Sequence, residues 1–499
     1  MKFQKNTSPL NDKGKDFINK IIIGNNIKKK FFKKLINKLK NNNLLEHKLH
    51  LLVGTDIFEN SFFKNDNLLN YINNHKRKSN SIFSFLLDTY RFFLLISKII
   101  FFKFLTPKNY IKKSNKKKTL ILSYLPQTNF FDNSNNFISY QWGNNLDYII
   151  NNNDCEYLHI FNLNFSTLKR LFNHSFKKHK LNNSSHLFFL NYISVREILC
   201  LVFITLFQKK IRIKNQDPIG TYISESTKSH CLIESRIWEK IFLNFFTINK
   251  NYKRCFYLFE NQNWEKFLNY YWKYFINKDI YPFNHSACRY NDYRTFSSIY
   301  FSKFKIIKNY FPNKIVIDDN ISLKNIKSFD KKFKILKINN SEKKLNFNYK
   351  NNKIALVIGD IDLITSKNLL NISLELKKNN ILSKVIYKPH PSNIKRFINN
   401  DYDLYLKELN YFNKSINYVF CANSTTTASK IYQSFSNLFV YIPKNKINLS
   451  PLLNVDNKIF YSDYDNLLHL IMNSQKKPYK QKSIYYKNLK SKIFSIRNN

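Results

Sequence analysis

The sequence predicts an α/β fold. Short apolar runs bounded by polar loops alternate with stretches of helical periodicity, and a chain of 499 residues exceeds what one hydrophobic core usually organises. Alternation of this kind argues for parallel sheets covered by helices on both faces, here in two Rossmann-like domains. Hydrophobic residues make up 43% of the chain and aromatic residues 17%, well above the level at which a chain lacks enough apolar surface to fold.

Residues 1–110 are read as a helical N-terminal region. Within it, residues 81–105 (SIFSFLLDTYRFFLLISKIIFFKFL) are strongly apolar, but Asp88, Arg91, Lys98 and Lys103 interrupt the run before it reaches the roughly 20 uncharged residues that a membrane span needs. A second apolar stretch, residues 198–207, is shorter. A buried core helix is expected for both. For the first, the alternative is a helix lying in the plane of a membrane, since its aromatic and basic residues suit the interface and the run KKSNKKK follows at 112–118.

Residues 111–340 are read as the first Rossmann-like domain, with buried strands at 119–125 (TLILSYL), 157–162 (YLHIFN) and 254–259 (RCFYLF) and a helix over 233–247. Lys, Asn and Ser crowd together at about residues 320–350, and the inter-domain connection is placed there. The βα rhythm is clearer beyond it, with strands at 353–358, 383–387, 417–421 and 438–442 and helices at 366–378 and 426–435. These define a second Rossmann-like domain, residues 350–475, followed by a basic helix or tail over 476–499. Ligands bind such sheets outside the carboxyl ends of the strands.

Composition excludes several classes of function. The net charge of +49, from 82 Lys and Arg against 33 Asp and Glu, invites a nucleic-acid reading. The excess is mostly Lys, is spread along the whole chain and accompanies heavy use of Asn, Ile, Phe and Tyr, which points to coding bias toward AT-rich codons; no nucleic-acid partner is expected. Only residues 28–40 and 112–118 are locally dense in Lys. Six glycines, at 14, 24, 54, 143, 220 and 359, cannot write a P-loop or a GxGxxG fingerprint, so Walker-type ATP hydrolysis and ordinary dinucleotide chemistry drop out. The six cysteines are scattered singly without zinc or CxxC spacing, so no structural metal or disulfide framework is expected, and the N-terminus has no apolar h-region. A cytoplasmic protein, with the inner face of the plasma membrane as a peripheral site, fits this pattern.

Two motifs stand at expected strand ends of the second domain. Lys388-Pro389-His390-Pro391-Ser392 follows the strand at 383–387, where a Pro-locked turn would hold Lys388 and His390 at the carboxyl edge of the sheet, in reach of a phosphate. Asn423-Ser424-Thr425-Thr426-Thr427 follows the strand at 417–421 and precedes a helix, whose first amides and dipole favour an anion. Either alone also reads as a rigid turn or a helix cap; together they favour phosphate binding. Asp360 and Asp362, in IGDID, are read as loop or helix-capping acids.

The pairing of KPHPS with NSTTT resembles the His-Pro and Ser-Ser/Ser-Thr motifs of bacterial sialyltransferase-like and polysialyltransferase-like GT-B enzymes. The resemblance implies two Rossmann-like domains facing a cleft, with Lys388, His390, Pro391, Ser392, Asn423, Ser424, Thr425 and Thr426 at the nucleotide and donor sugar. Further upstream, YLFENQNWEK at 257–266 and HSACRYNDYR at 285–294 resemble a family of O-antigen or surface-carbohydrate biosynthesis proteins, and with the KPHPS block the similarity runs from about residue 115. Glu260 stands at a strand end before a helix, which suits a general base for an acceptor hydroxyl or, equally, an N-cap acid. His285 is read as its assistant and Asp292 as a further catalytic candidate, Arg289 and Arg294 as phosphate or acceptor contacts, and Arg289, Asp292 and Arg294 alternatively as a structural ion-pair network. The sialyltransferase-like acid is followed by glycine, whereas Glu260 is followed by Asn261.

The function expected is therefore a GT-B glycosyltransferase of lipopolysaccharide O-antigen or capsule assembly. It would use a nucleotide-sugar donor, with a CMP link implied by the resemblance, and a glycan or lipid-linked acceptor. Inversion is expected, without a metal or other cofactor. The alternatives are a polyol-phosphate transferase using a CDP-activated donor, a basic nucleic-acid-binding protein, and a non-catalytic scaffold on an anionic membrane surface.

Overall fold

The computed structural model describes residues 25–41, 81–109, 117–125, 142, 154–161, 163–164, 167, 184–208, 228–337 (without 261, 285, 292 and 306), 353–390, 402, 404–405, 416–432, 435, 437–443, 448–456 and 459–475. Two helices come first, α1 (Asn25–Asn41) and α2 (Ser81–Leu105). The first sheet follows with β1 (Lys118–Tyr124), β2 (Cys155–Ile160), β3 (Ser184–Phe188), α3 (Val195–Phe207), α4 (Ser229–Ile248), β4 (Tyr252–Leu258), α5 (Asn263–Phe275) and β5 (Asp279–Asn284). It ends with α6 (Tyr293–Phe301), β6 (Lys314–Ile317), α7 (Asn320–Phe329) and β7 (Lys334–Lys337). The second comprises β8 (Ile354–Ile358), α8 (Leu363–Lys378), β9 (Lys384–Lys388), β10 (Leu404–Tyr405), β11 (Tyr418–Ala422), α9 (Thr427–Tyr432), β12 (Leu438–Tyr441), β13 (Phe460–Tyr461) and α10 (Tyr464–Gln475).

The fold is α/β, as the sequence predicts, with two sheets whose strand pairs, among the described residues, are all parallel. Their orders are β3-β2-β1-β4-β5-β6-β7 and β10-β9-β8-β11-β12-β13. Both start in the middle, wind outward one way, then return to the middle and wind the other way. Because parallel crossovers are right-handed, that reversal sends successive helices to opposite faces and opens a crevice at the carboxyl ends of the two central strands. The crevice lies between β1 and β4 in the first sheet and between β8 and β11 in the second. Central strands buried on both faces must be apolar throughout, and β8 (IALVI) and β11 (YVFCA) are.

The stretch at 320–350, expected as a connection, contains α7 and β7, which close the far edge of the first sheet. Its Lys and Asn residues disguise a helix that buries Ile321, Ile326 and Phe329 and an edge strand that is only half-buried. Helix α1 buries Phe31, Phe32, Leu35 and Ile36, with Phe32 against Tyr300, Phe301 and Phe329.

The expectation of buried core helices at 81–105 and 198–207 is not met. α2 and α3 pack on α4 through one row each, and the remaining apolar side chains face outward. Asp88 fixes α2 in place. Its carboxylate accepts from the backbone N–H groups of Ser229 and His230, the first residues of α4, and pairs with His230 Nδ1 at 2.6 Å. Burial alone would raise this carboxyl's pKa; the hydrogen bonds from His230 and Ser229 outweigh it and bring the value below the usual range. An acid that interrupts an apolar helix in sequence is thus the cap of its neighbour. Among the described residues, no helix is long and apolar enough to cross a membrane.

A buried histidine pair ties β2 to β3. His159 and His186 stack with centroids 5.1 Å apart, and His159 Nε2 lies 2.8 Å from His186 Nδ1. One ring must donate and the other accept, so the accepting nitrogen carries no proton. Burial pushes His186 down to about 3, and burial together with His186 pushes His159 well below its ordinary value. Since the unfolded chain binds these protons first, stability is complete above the unfolded value of about 6.5 and is lost as pH falls below it, by up to about 1.4 kcal/mol per pH unit for each ring. The urea midpoint is therefore expected to be level between about pH 8 and 7 and to fall toward pH 5, with a shallower fall in His186→Phe.

Candidate active site

At the reversal point of the second sheet the chain leaves β8 at Gly359 and Asp360 and leaves β11 at Asn423 and Ser424. Gly359 is required by close approach: a Cβ there would stand 2.6 Å from the Tyr387 hydroxyl and 3.2 Å from Ser366 Oγ. Its N–H donates to the carbonyl of Lys388 at 2.9 Å, so the ends of β8 and β9 are held side by side. The Asp360 carboxylate then spans to β11, accepting the Ser424 N–H at 2.9 Å and the Ser424 hydroxyl at 2.5 Å. Asp362, by contrast, caps α8 by accepting the Thr365 N–H. One of the two acids therefore fills the expected capping role, and the other closes the switch point. The signal for Asp360 was its place directly after the first strand of the second domain.

Cationic groups gather around this closure. Lys388 ends β9, and His390 follows it, half-buried. Burial lowers the His390 pKa, the nearby charges of Lys388 and Arg289 lower it further, and Asp360 works in the opposite direction; the net shift is downward. At neutral pH the ring is accordingly an uncharged hydrogen-bonding group that feels the charges of Lys388 and Arg289. Thr425 is buried, and Thr426 is half-buried at the start of α9. The backbone N–H of Leu449 donates to Asn423 Oδ1, fixing the neighbouring loop.

Arg289 arrives from the other sheet. It lies beyond the carboxyl end of β5, and its Nε and Nη2 donate to the Ser424 carbonyl at 3.1 and 2.8 Å. Two more links form from the same region: Asn291 Nδ2 donates to the Asn448 carbonyl at 2.9 Å, and Asn325 Nδ2 to the Pro451 carbonyl at 3.0 Å. Asn325 also donates to the Cys288 carbonyl, while the Cys288 N–H donates to Ser322 Oγ, so the 286–291 loop is fastened to α7. Tyr290 and Ile321 complete an apolar cluster with residues of the second sheet, among them Leu356 and Val440. The carboxyl edges of the two sheets thus face each other across this seam.

At the first sheet's reversal point, Glu260 follows β4 and Tyr124 ends β1. Glu260 is half-buried, and the capping role left open for it belongs to others: Gln262 is the N-cap of α5, and Glu265 completes the capping box. Glu265 Oε1 accepts the N–H groups of Glu260 and Gln262, both at 2.8 Å. Burial drives the Glu265 carboxyl well above its usual range; these two hydrogen bonds oppose the shift and the charge of Glu260 adds to it. Burial likewise raises the Tyr124 hydroxyl, helped by the charges of Glu260 and Glu265, and the Trp264 ring stands edge-on to Tyr124 at 6.2 Å. A half-buried carboxyl group, Glu260, and a buried one biased toward its protonated form, Glu265, therefore share this corner. Glu265 and Tyr124 were not singled out from the sequence, although Q-x-x-E before a helix is a capping-box pattern.

His285, Asp292, Pro391 and Ser392 lie outside the described residues, as does the side chain of Arg294 in α6. Of the sequence-derived set, Lys388, His390, Asn423, Ser424, Thr425, Thr426 and Arg289 come together at one seam, and Glu260 leaves a strand adjacent to β5 at the same edge.

Removing the Asp360 carboxylate would orphan both the Ser424 N–H and its hydroxyl. Asp360→Ala is expected to cost about 2–4 kcal/mol and Asp362→Ala, a lost cap, about 1 kcal/mol. Urea unfolding of the two variants measures the difference, and equal costs would refute the closure role.

No protein-family model matches the chain, and no curated protein matches its sequence. Similar solved structures include a trehalose 6-phosphate synthase from Burkholderia multivorans, at 8% identity and a TM-score of 0.39 over 73% of this chain and 89% of that one. They also include the N-terminal domain of a Candida albicans trehalose-6-phosphate phosphatase, at 11% identity and a TM-score of 0.34 over 74% and 91%. Likeness at this level carries no information on substrate or chemistry.

Proposed function

We propose that the chain is a GT-B-type glycosyltransferase of cell-surface polysaccharide assembly, moving a sugar from a nucleotide-activated donor to a glycan or lipid-linked acceptor. One observation carries the proposal: Lys388 and His390 stand beside one strand-order reversal, where Arg289 from the opposite sheet is bonded to the Ser424 carbonyl and its charge acts on His390, while Glu260 stands at the other reversal. A phosphate leaving group needs the first set, and an acceptor hydroxyl needs the second.

In this scheme the region 350–475 holds the donor and the region 111–340 the acceptor. Lys388 and Arg289 stabilise the negative charge that develops on the departing phosphate, and the neutral His390 donates a hydrogen bond to it. Thr426 adds a hydroxyl. Ser424, engaged by Asp360, positions the turn. Glu260 removes the acceptor proton as the new glycosidic bond forms at the anomeric carbon and the bond to phosphate breaks, with inversion. Glu265, biased toward its protonated form, holds the backbone of Glu260 and does not compete for that proton. His285 and Asp292 are assigned to the catalytic set, and Pro391, Ser392, Asn423, Thr425 and Arg294 to donor contacts, on their motifs alone. Protein cations carry the phosphate charge, so the scheme calls on no metal or other cofactor. A CMP-linked donor and a cytoplasmic setting belong to the same proposal.

Thermal stabilisation by a panel of CMP, CDP, UDP, GDP and their sugars tests the donor site. One nucleotide class is expected to raise the melting temperature selectively, and the shift is expected to vanish in His390→Ala and Arg289→Ala. A panel without effect on the wild-type protein would sink the donor assignment.

The roles of the two reversal points separate in Glu260→Gln. This variant is expected to keep the nucleotide-induced shift while losing turnover by about 10²–10⁴-fold, the usual contribution of general base catalysis. Sugar transfer to acceptor, followed by mass spectrometry of the product, reads the loss and also distinguishes glycosyl from polyol-phosphate transfer.

A further inference from the structure

α2 and α3 lie side by side on α4, and each buries a single row of side chains there. α2 turns Phe92, Ile96, Ile99 and Phe102 inward. On its other side Phe93, Phe101 and Phe104 are exposed, and on α3 so are Phe203 and Phe207; Phe104 and Phe207 are both 74% exposed. Large aromatic side chains in water on two touching helices make a patch of the kind that marks an interaction surface.

Charge indicates what meets it. Arg91 and Lys98, two helical turns apart on α2, are exposed along the flank of the apolar row, and Arg196 is exposed at the start of α3. Each helix contains one acid, and both acids are engaged: Asp88 caps α4, and Glu197 is held by Ser194 and pairs with Lys240 at 3.1 Å. The face is therefore aromatic with a cationic edge, the complement of a lipid surface bearing anionic headgroups. A second copy of the chain would bring the same cations against its own, at a repulsive cost. Neither helix is long and apolar enough to span a bilayer.

We propose that α2 and α3 together form a docking face that lies in the plane of an anionic membrane, with the phenylalanines in the acyl boundary and Arg91, Lys98 and Arg196 at the lipid phosphates. The face extends beyond the single segment that the sequence suggested, because α4 sets α3 beside α2. It is independent of the transfer chemistry and stands or falls separately from it.

The full chain is sedimented with vesicles of phosphatidylcholine alone or of phosphatidylcholine mixed with phosphatidylglycerol, whose anionic headgroups set up a negative surface potential. The wild-type protein is expected to bind the anionic vesicles preferentially and to release as salt rises. Phe104→Glu combined with Phe207→Glu is expected to weaken binding by at least about tenfold, with an unchanged melting temperature because both side chains are exposed. Arg91→Glu combined with Lys98→Glu should remove the preference for anionic lipid. Wild-type binding no stronger to anionic than to neutral vesicles, or undiminished binding by the phenylalanine variant, would overturn the proposal. So would self-association that the phenylalanine variant abolishes without vesicle binding by either protein, which would assign the face to a second copy.

Discussion

A parallel strand can be followed only by a crossover, and crossovers turn right-handed, so a chain that begins in the middle of a sheet must reverse its direction of winding to fill the second half. That constraint operates twice here. Each reversal leaves two adjacent strands whose following segments part to opposite faces, and the crevice between them is where the backbone turns stand open. Among the described residues, Gly359, Asp360 and Ser424 lie at one reversal, with Lys388 and His390 at the end of the neighbouring β9, Tyr124 and Glu260 lie at the other, and Arg289 stands on the loop after β5.

A crevice alone does not hold side chains still. In the second sheet the work is done by Asp360, whose carboxylate grips both polar groups of Ser424 while its own backbone is engaged with Ser366 Oγ. In the first sheet Glu265 does the corresponding work with backbone amides alone. Both carboxylates are spent on geometry, which leaves Glu260 as the half-buried acid of its corner and, at the other, the cations Lys388 and Arg289 with the uncharged ring of His390.

Much of the fold was legible because buried parallel strands must be apolar over their whole length: β1, β4, β8, β9, β11 and β12 fall within a residue or two of their expected places. What escaped were strands whose composition disguises them. β3 begins Ser-Ser-His, and β7 is half-buried and ends in Lys at both sides. Sequence gives a residue's type and its neighbours along the chain, whereas burial is set by what packs across. For the same reason α2 and α3 read as core helices, and only the placement of α4 shows which row of each is covered. The motif residues Lys388, His390 and Ser424 were legible from their strand-end positions. Asp360 and Glu265 were not, because their importance lies in partners 64 and 5 residues away.

Three hydrogen bonds of the seam between the two sheets run the same way, from side chain to main chain. Arg289, Asn291 and Asn325 supply side-chain donors from the first half, and the second half answers with the main-chain carbonyls of Ser424, Asn448 and Pro451. A main-chain carbonyl is present whatever side chain it accompanies. The loops of the second half can consequently exchange side chains, and with them their preference for one small molecule over another, while the joint that aligns the halves is preserved. Divergence in ligand choice and persistence of architecture are thereby assigned to different atoms of the same residues.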